Sequence, residues 1–279
     1  MTNLIGAIQG RLLPKYKGRY QAHPVGYWED EFPIANQLGL DCIEFILDFN
    51  DAEINPLLRS GGLDEILAIS EKTGVVVKTV CADYLMEAPL HSESNDIAET
   101  SEEVLRRLIH SSAALGATDI VIPCVDQSSL EDDKAVDRFV TRLTPILELA
   151  ENKNVNLSLE CDLPPAPFYD LLHRFDTARL TVNYDIGNSA ALGYDAVEEL
   201  DAYGERITDI HIKDRVLAGG SVVLGTGNAN FERFFDKLKS FDYTGPFLMQ
   251  AYRDDEGLSV FKQQLEWVKP YLLKCNGIG

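Results

Sequence analysis

The chain has 279 residues, 45% of them hydrophobic, enough to bury a large core as one barrel or as two smaller domains. Its 45 acidic against 25 basic residues give a formal charge of -20, which opposes long-range attraction to nucleic acid or anionic membrane and favours a small-molecule partner. The five cysteines are odd in number and lack CxxC spacing, no apolar run approaches the about 18 residues of a membrane span, and the opening MTNLIGAIQGRLLP is not built like a signal peptide, so a reduced, cytoplasmic protein is expected.

In chain order, NLIGAIQ reads as a strand, followed by GRLLPKYKGRY, a loop with four basic residues that could meet an anion. Phe32, Ala35 and Leu38 fall at helical spacing between Glu29 and Leu38, and Gly39 ends that helix before the strand LDCIEFIL. The unit then recurs. LDEILAISEKTG is a helix, VVVKTV a β-branched strand, and CADYLMEAPL a loop. Thr100 and Glu103 have capping-box spacing ahead of the stripe Val104, Leu105, Leu108 and Ile109, and TDIVIPC is the next strand. A helix from Asp133 to Asn152, with Pro145 as a kink candidate, leads into VNLSLE. After the proline-rich loop DLPPAP come the short helix FYDLLHRF, the strand LTVNYD, the loop DIGNSAALG and the helix YDAVEELDAYG. The strand ITDIHIKD, the helix NFERFFDKLKSF, the strand GPFLMQ and the helix LSVFKQQLEWVKPYLL close the chain.

Eight strands alternating with helices predict a single-domain α/β fold over residues 1–279, a closed (β/α)8 TIM barrel rather than an open doubly wound sheet, since no GxGxxG follows the first strand. Cys42, Cys81, Cys124 and Cys161 recur in or just after successive strands without implying chemistry. In such a barrel the chemistry sits at the C-terminal strand ends. There the fifth strand ends in Glu160, the sixth in Asp185 and the eighth in Gln250. On the seventh, alternation puts Asp209, His211 and Lys213 on one face. Two carboxylates, one imidazole and one amide oxygen suit a divalent metal such as Mn, Co, Mg or Zn, because buried clustered carboxylates are costly without a cation.

LSLECD, VNYDIGNSAALGYD, DIHIKD and GPFLMQ resemble the xylose isomerase-like TIM-barrel superfamily, and IQGRLLP and VCADYLMEAPL are most like its sugar-phosphate isomerases or epimerases. The resemblance implies metal ligation by Glu160, Asp185 and His211, with Glu160 also the base of an enediolate reaction on a small sugar or sugar phosphate. Gln250 stands where many epimerases of the family have a glutamate that is both ligand and second base, and Asn188 where a histidine is frequent. An amide can ligate through oxygen but takes up no proton at neutral pH. Single-base transfer, an isomerase, is therefore the expectation unless His91, Lys213 or another loop residue supplies the second base. Two rival readings remain: a sugar-binding barrel without turnover, motivated by Gln250, and an AP endonuclease-like hydrolase, opposed by the net charge and by Asn188 and Gln250. Family members are often dimers or tetramers, so a homo-oligomer is expected.

Arg11, Asn188, Lys213, Arg215 and Arg253 are the candidate substrate contacts, and Gly225 and Gly227 of LGTGNANF a candidate phosphate cradle. His110 and His173 read as structural helix residues. His23 and His91 read as ordinary loop residues, and Trp28 and Tyr84 as candidate pocket walls.

Overall fold

The computed structural model describes residues 3–255 and 257–275. Eight parallel strands close a barrel: β1 Ile5–Ile8, β2 Cys42–Ile46, β3 Val76–Cys81, β4 Asp119–Cys124, β5 Asn156–Cys161, β6 Leu180–Asp185, β7 Ile207–Ile212 and β8 Phe247–Met249. Each neighbour in sequence is a neighbour in the sheet, and β8 pairs with β1 through Ile5 and Phe247 to complete the ring. Eight helices cover it: α1 Glu31–Gln37, α2 Gly62–Thr73, α3 Asn95–Leu115, α4 Asp133–Lys153, α5 Pro165–Leu172, α6 Ala196–Tyr203, α7 Phe231–Leu238 and α8 Ser259–Cys275.

The helix ends are written in short-range chemistry. Asp132 caps α4 by accepting the amide of Ala135 at 2.8 Å, and Asn154 stops it in the left-handed region at φ 58°. The proline-rich stretch expected to be loop opens α5 at Pro165, where a missing N–H costs nothing. Thr100 and Glu103 lie inside α3, which begins six residues earlier than the capping-box spacing suggested, after Ser94. There the Thr100 hydroxyl donates to the carbonyl of Asp96, a helix-interior use of threonine that mimics a cap in sequence. The expected loops CADYLMEAPL and DIGNSAALG each contain a short helix, Tyr84–Glu87 and Ile186–Leu192.

The lumen is not uniformly apolar. Ile8, Ile46, Cys81 and Val121, from β1 to β4, form an inner apolar cluster separate from the main core under the helices. Inward positions of β5 to β7 are Ser158, Glu160, Thr181, Asn183, Asp185, Asp209 and His211, all buried. Near the lower end a register shift between Val182 and Asn183 accompanies a contact of the Thr208 hydroxyl with Asp119 at 2.6 Å and with Thr181 at 2.8 Å.

The loop after β7 carries a two-stranded hairpin, Asp214–Arg215 with Ser221–Val222, and then the glycine-rich turn expected to cradle a phosphate. That cradle is already filled. The amides of Gly225 and Gly227 donate to Asp214 Oδ2 at 2.9 Å each and that of Ala229 to Oδ1 at 3.0 Å. A Cβ on Gly227 would come within 2.2 Å of Asp214 Oδ1, so the glycine is needed for the close approach of the chain's own carboxylate. Asp214 is fully buried. Asp214→Ala should leave three amide groups without their acceptor and cost about 3 kcal/mol or more, while Asp214→Asn, with one accepting oxygen, should lose less. Denaturant midpoints of the two variants check the order.

Candidate active site

Barrel geometry brings Glu160, Asp185 and His211 to one end of the lumen, with one ligand atom from each within 4.8 Å of the others. Asp185 is held by the helix that follows it: its Oδ1 accepts the amide of Asn188 at 2.8 Å, capping Ile186–Leu192. Gly187 lets this helix press on the end of β7, since a Cβ there would lie 2.6 Å from Lys213 Cγ. Oδ2 of Asp185 is then left facing Lys213 Nζ at 3.1 Å and His211 Nδ1 at 4.0 Å.

His211 is oriented from below. Its Nε2 lies 3.0 Å from Glu44 Oε1, while Glu44 Oε2 accepts the Thr79 hydroxyl at 2.8 Å. With the ring proton on Nε2, the lone pair of Nδ1 points to the carboxylates, and Nδ1 has no hydrogen-bond partner among the described residues. Glu44 is pushed up to about 7, chiefly by burial. Asp209, one layer lower, goes well above the usual carboxylate range through burial and then the charge of Glu44. Glu160 is pushed up to about 7 by burial first and then by the charge of Asp185, with His211 and Lys213 pulling the other way.

The upper side is a hydrogen-bonded bank built around Asn188. Its amide nitrogen donates to Glu160 Oε1, and its carbonyl oxygen accepts from Lys213 Nζ at 3.0 Å and Arg215 Nη1 at 2.8 Å. Glu160, Asp185, Asn188, Lys213 and Arg215 are thus one connected group. A second group forms at the mouth: Gln250 Nε2 donates to Gln21 Oε1 at 2.8 Å, and Arg11 Nη2 donates to the same oxygen at 3.2 Å. Gln250 is buried, and its Oε1 has no hydrogen-bond partner among the described residues. Burial lowers Arg11 to about 10. Arg253 serves the backbone: it donates to the carbonyls of Arg11 at 2.7 Å and of Gly257, and its guanidinium lies over the Tyr20 ring.

Trp28 packs edge-on against Phe32 and Phe45, and Tyr84 stacks near Phe49, so both aromatic rings join side-chain clusters. His23 and His91 are buried, His23 beside Gln9 and Phe45, His91 against Phe139. The residues missed in sequence are Glu44, Gln21 and Asp83, the last reached by the Gln21 amide nitrogen at 3.4 Å, whereas strand alternation had already set Asp209 beside His211. A glutamate inside the apolar run CIEFI was an available signal for Glu44; Gln21 and Asp83 sit in loops with no periodicity to betray them.

The donor set fits a divalent cation: two clustered carboxylates, an imidazole nitrogen without a partner, and a charge balance that burial alone leaves unsettled. The sequence pattern of the xylose isomerase-like TIM barrel matches residues 32–271. The chain belongs to this family. It is 29% identical over 269 residues to the L-ribulose-5-phosphate 3-epimerase UlaE of Escherichia coli O1:K1, covering 92% of this chain and 94% of that one. The Salmonella paratyphi A protein of the same name is 27% identical over 268 residues, with 92% and 94% covered. Among solved structures, a D-tagatose 3-epimerase-like protein superposes with a TM-score of 0.74 at 19% identity over 98% of both chains. An L-ribulose 3-epimerase gives 0.74 at 16% identity over 99% of this chain and 96% of that one. These two likenesses establish the barrel fold.

A carboxyl raised in the folded state binds more protons folded than unfolded, so its contribution to stability is full below the unfolded pKa of about 4.5 and is lost as pH rises toward about 7. A cation reverses that loss by taking the ionised form. The increase in melting temperature on adding Mn2+ should therefore be roughly twofold or more larger at about pH 7.5 than at about pH 5.5. Thermal melts of metal-stripped and metal-loaded protein at the two pH values check it.

Proposed function

We propose that the chain is a metal-dependent 3-epimerase of a ketose or ketose phosphate, with Glu160 as a proton-transferring base. The observation that carries this is the buried meeting of Glu160, Asp185 and His211, in a chain whose full-length relatives are named L-ribulose-5-phosphate 3-epimerases. Glu160, Asp185 and His211 would hold the cation, with Gln250 Oε1 the fourth donor. When bound, the cation polarises the substrate carbonyl and its neighbouring hydroxyl and makes the carbon-bound proton more acidic.

The chain's own residues supply the rest. Glu44 holds His211 with Nδ1 toward the site, and Lys213 neutralises part of the Asp185 charge that would otherwise keep Glu160 protonated. Asn188 donates to the Glu160 carboxylate and so fixes its aim. Glu160, which the cation would favour in its ionised form, would take a proton from carbon and give it up again. Arg215 and Lys213, gathered on the Asn188 oxygen, would meet the substrate's hydroxyls or an anionic group. The charge of -20 agrees with a small-molecule substrate. Dimers or tetramers remain part of the reading, to be measured by sedimentation.

Glu160→Gln should lower turnover by about 10^3-fold or more, consistent with loss of a positioned base, with the fold intact by circular dichroism. Full turnover in that variant would remove the assignment. A panel of L-ribulose 5-phosphate, L-ribulose, D-tagatose and D-psicose, followed for deuterium uptake from solvent by the metal-loaded protein, separates an epimerase from a sugar-binding barrel, which would exchange no proton. Gln250→Glu adds a carboxylate to the proposed ligands and should tighten Mn2+ binding by about tenfold or more, or about 1.4 kcal/mol, in calorimetric titration.

A further inference from the structure

We propose that Asp83 is the second proton carrier of the pocket, acting on the substrate face opposite Glu160. The inference rests on the epimerase reading above and supplies what Gln250 cannot. Inversion at carbon through a planar enediolate needs a proton removed from one face and another delivered to the other. Glu160 serves one face. An amide at Gln250 does not titrate at neutral pH.

The hydrogen bonds at the mouth lead from Gln250 to an acid. Gln250 donates to Gln21 at 2.8 Å, and the Gln21 amide nitrogen in turn reaches Asp83 Oδ2 at 3.4 Å. Asp83 is therefore tied to Gln250 through Gln21, and in the closed ring its strand β3 stands opposite β7, the strand that leads to Lys213, while Asn188 holds the Glu160 carboxylate on the β6 side. It lies two residues beyond the C-terminal end of β3 and is half-buried. Its charge acts on both Glu160 and Arg11, which places it in the field of the proposed base without touching any proposed ligand.

The partners of Asp83 also distinguish it from other carboxyls near the mouth. Its hydrogen bonds come from an amide and from the Cys81 thiol, at 3.1 Å, both neutral. Asp48 is bound instead by Arg19 at 2.9 Å, and Glu31 is fully buried with both oxygens taken by the backbone amides of Gly10 and Leu12 at 2.8 and 2.9 Å. Burial raises Asp83 above the usual carboxylate range, while the hydrogen bonds from Cys81 and Gln21 and the more distant charge of Arg19 pull the other way. Lys213 is committed to Asp185, and His91 is packed on Phe139.

In one direction the Glu160 carboxylate takes the proton from carbon 3, the C–H electron pair moves into the adjacent carbonyl, and the enediolate forms. The Asp83 carboxylic acid then gives its proton to the opposite face of the same carbon and is left as carboxylate. Both groups re-equilibrate with solvent before the next turnover, and no oxidant or co-reactant is required.

The test uses Mn2+-loaded enzyme in D2O with L-ribulose 5-phosphate and, separately, its C3 epimer, reading deuterium at C3 and inversion by NMR. Wild type should exchange and invert from both. Asp83→Asn should retain exchange from the epimer whose proton faces Glu160, lose it from the other, and invert at least about 100-fold more slowly. Glu160→Gln should show the mirror-image loss of exchange. Inversion by Asp83→Asn within about threefold of wild type, or equal loss of exchange from both epimers, would overturn the role. If Asp83→Asn does not fold, Asp83→Glu decides: exchange retained from both epimers supports the proton carrier, and exchange lost from both overturns it. Wild type that exchanges no proton on any sugar of the panel overturns the epimerase reading itself, and Asp83's role with it.

Discussion

Two carboxylates and an imidazole share a buried site at the end of this barrel, and burial of like charges without compensation is the constraint on which the rest of the site depends. Every neighbour answers it. Lys213 lies against Asp185, Asn188 donates to Glu160, and below them Glu44 holds the far nitrogen of His211. Asp209 adds a further acid beneath Glu44, pushed above the usual carboxylate range by burial and the Glu44 charge. What these contacts leave open is the inward nitrogen of His211 and the two carboxylates it faces, the place a divalent cation suits.

The division of the lumen follows from the same constraint. A TIM barrel is ordinarily packed with branched aliphatic side chains. Here that packing survives on β1 to β4, as Ile8, Ile46, Cys81 and Val121, while β5 to β7 turn acids, amides and hydroxyls inward. An apolar wall beside a polar one suits a sugar, which has C–H surface as well as hydroxyls. The loops complete the division: the β6 and β7 ends make one bank through Asn188, and the loops after β1 and β3 meet the β8 end at Gln21 to make the other.

Much of this was legible in the sequence. Helix and strand periods are local, so the β/α alternation and the eight-unit barrel follow from the spacing of apolar residues, and a closed barrel puts the last inward residue of each strand at one end. Glu160, Asp185 and His211 were therefore visible as a group, as were the amides Gln250 and Asn188 beside them. Helix starts were less legible. Thr100 and Pro165 show why: hydroxyls and prolines are used both at helix ends and just outside or inside them, and the local pattern is the same.

The sequence by itself determined the fold and the end of the barrel where chemistry belongs, because both depend on periodicity along a single stretch of chain. Tertiary structure decided which side chains are free. The glycine turn of LGTGNANF looks like an anion cradle in one dimension, yet Asp214 fills it. Glu44 orients His211 from 167 residues away, and Gln21 joins Gln250 to Asp83 from three different loops and strand ends. A hydrogen bond between distant segments is set by where barrel closure carries their backbones, and no pattern within either segment encodes it.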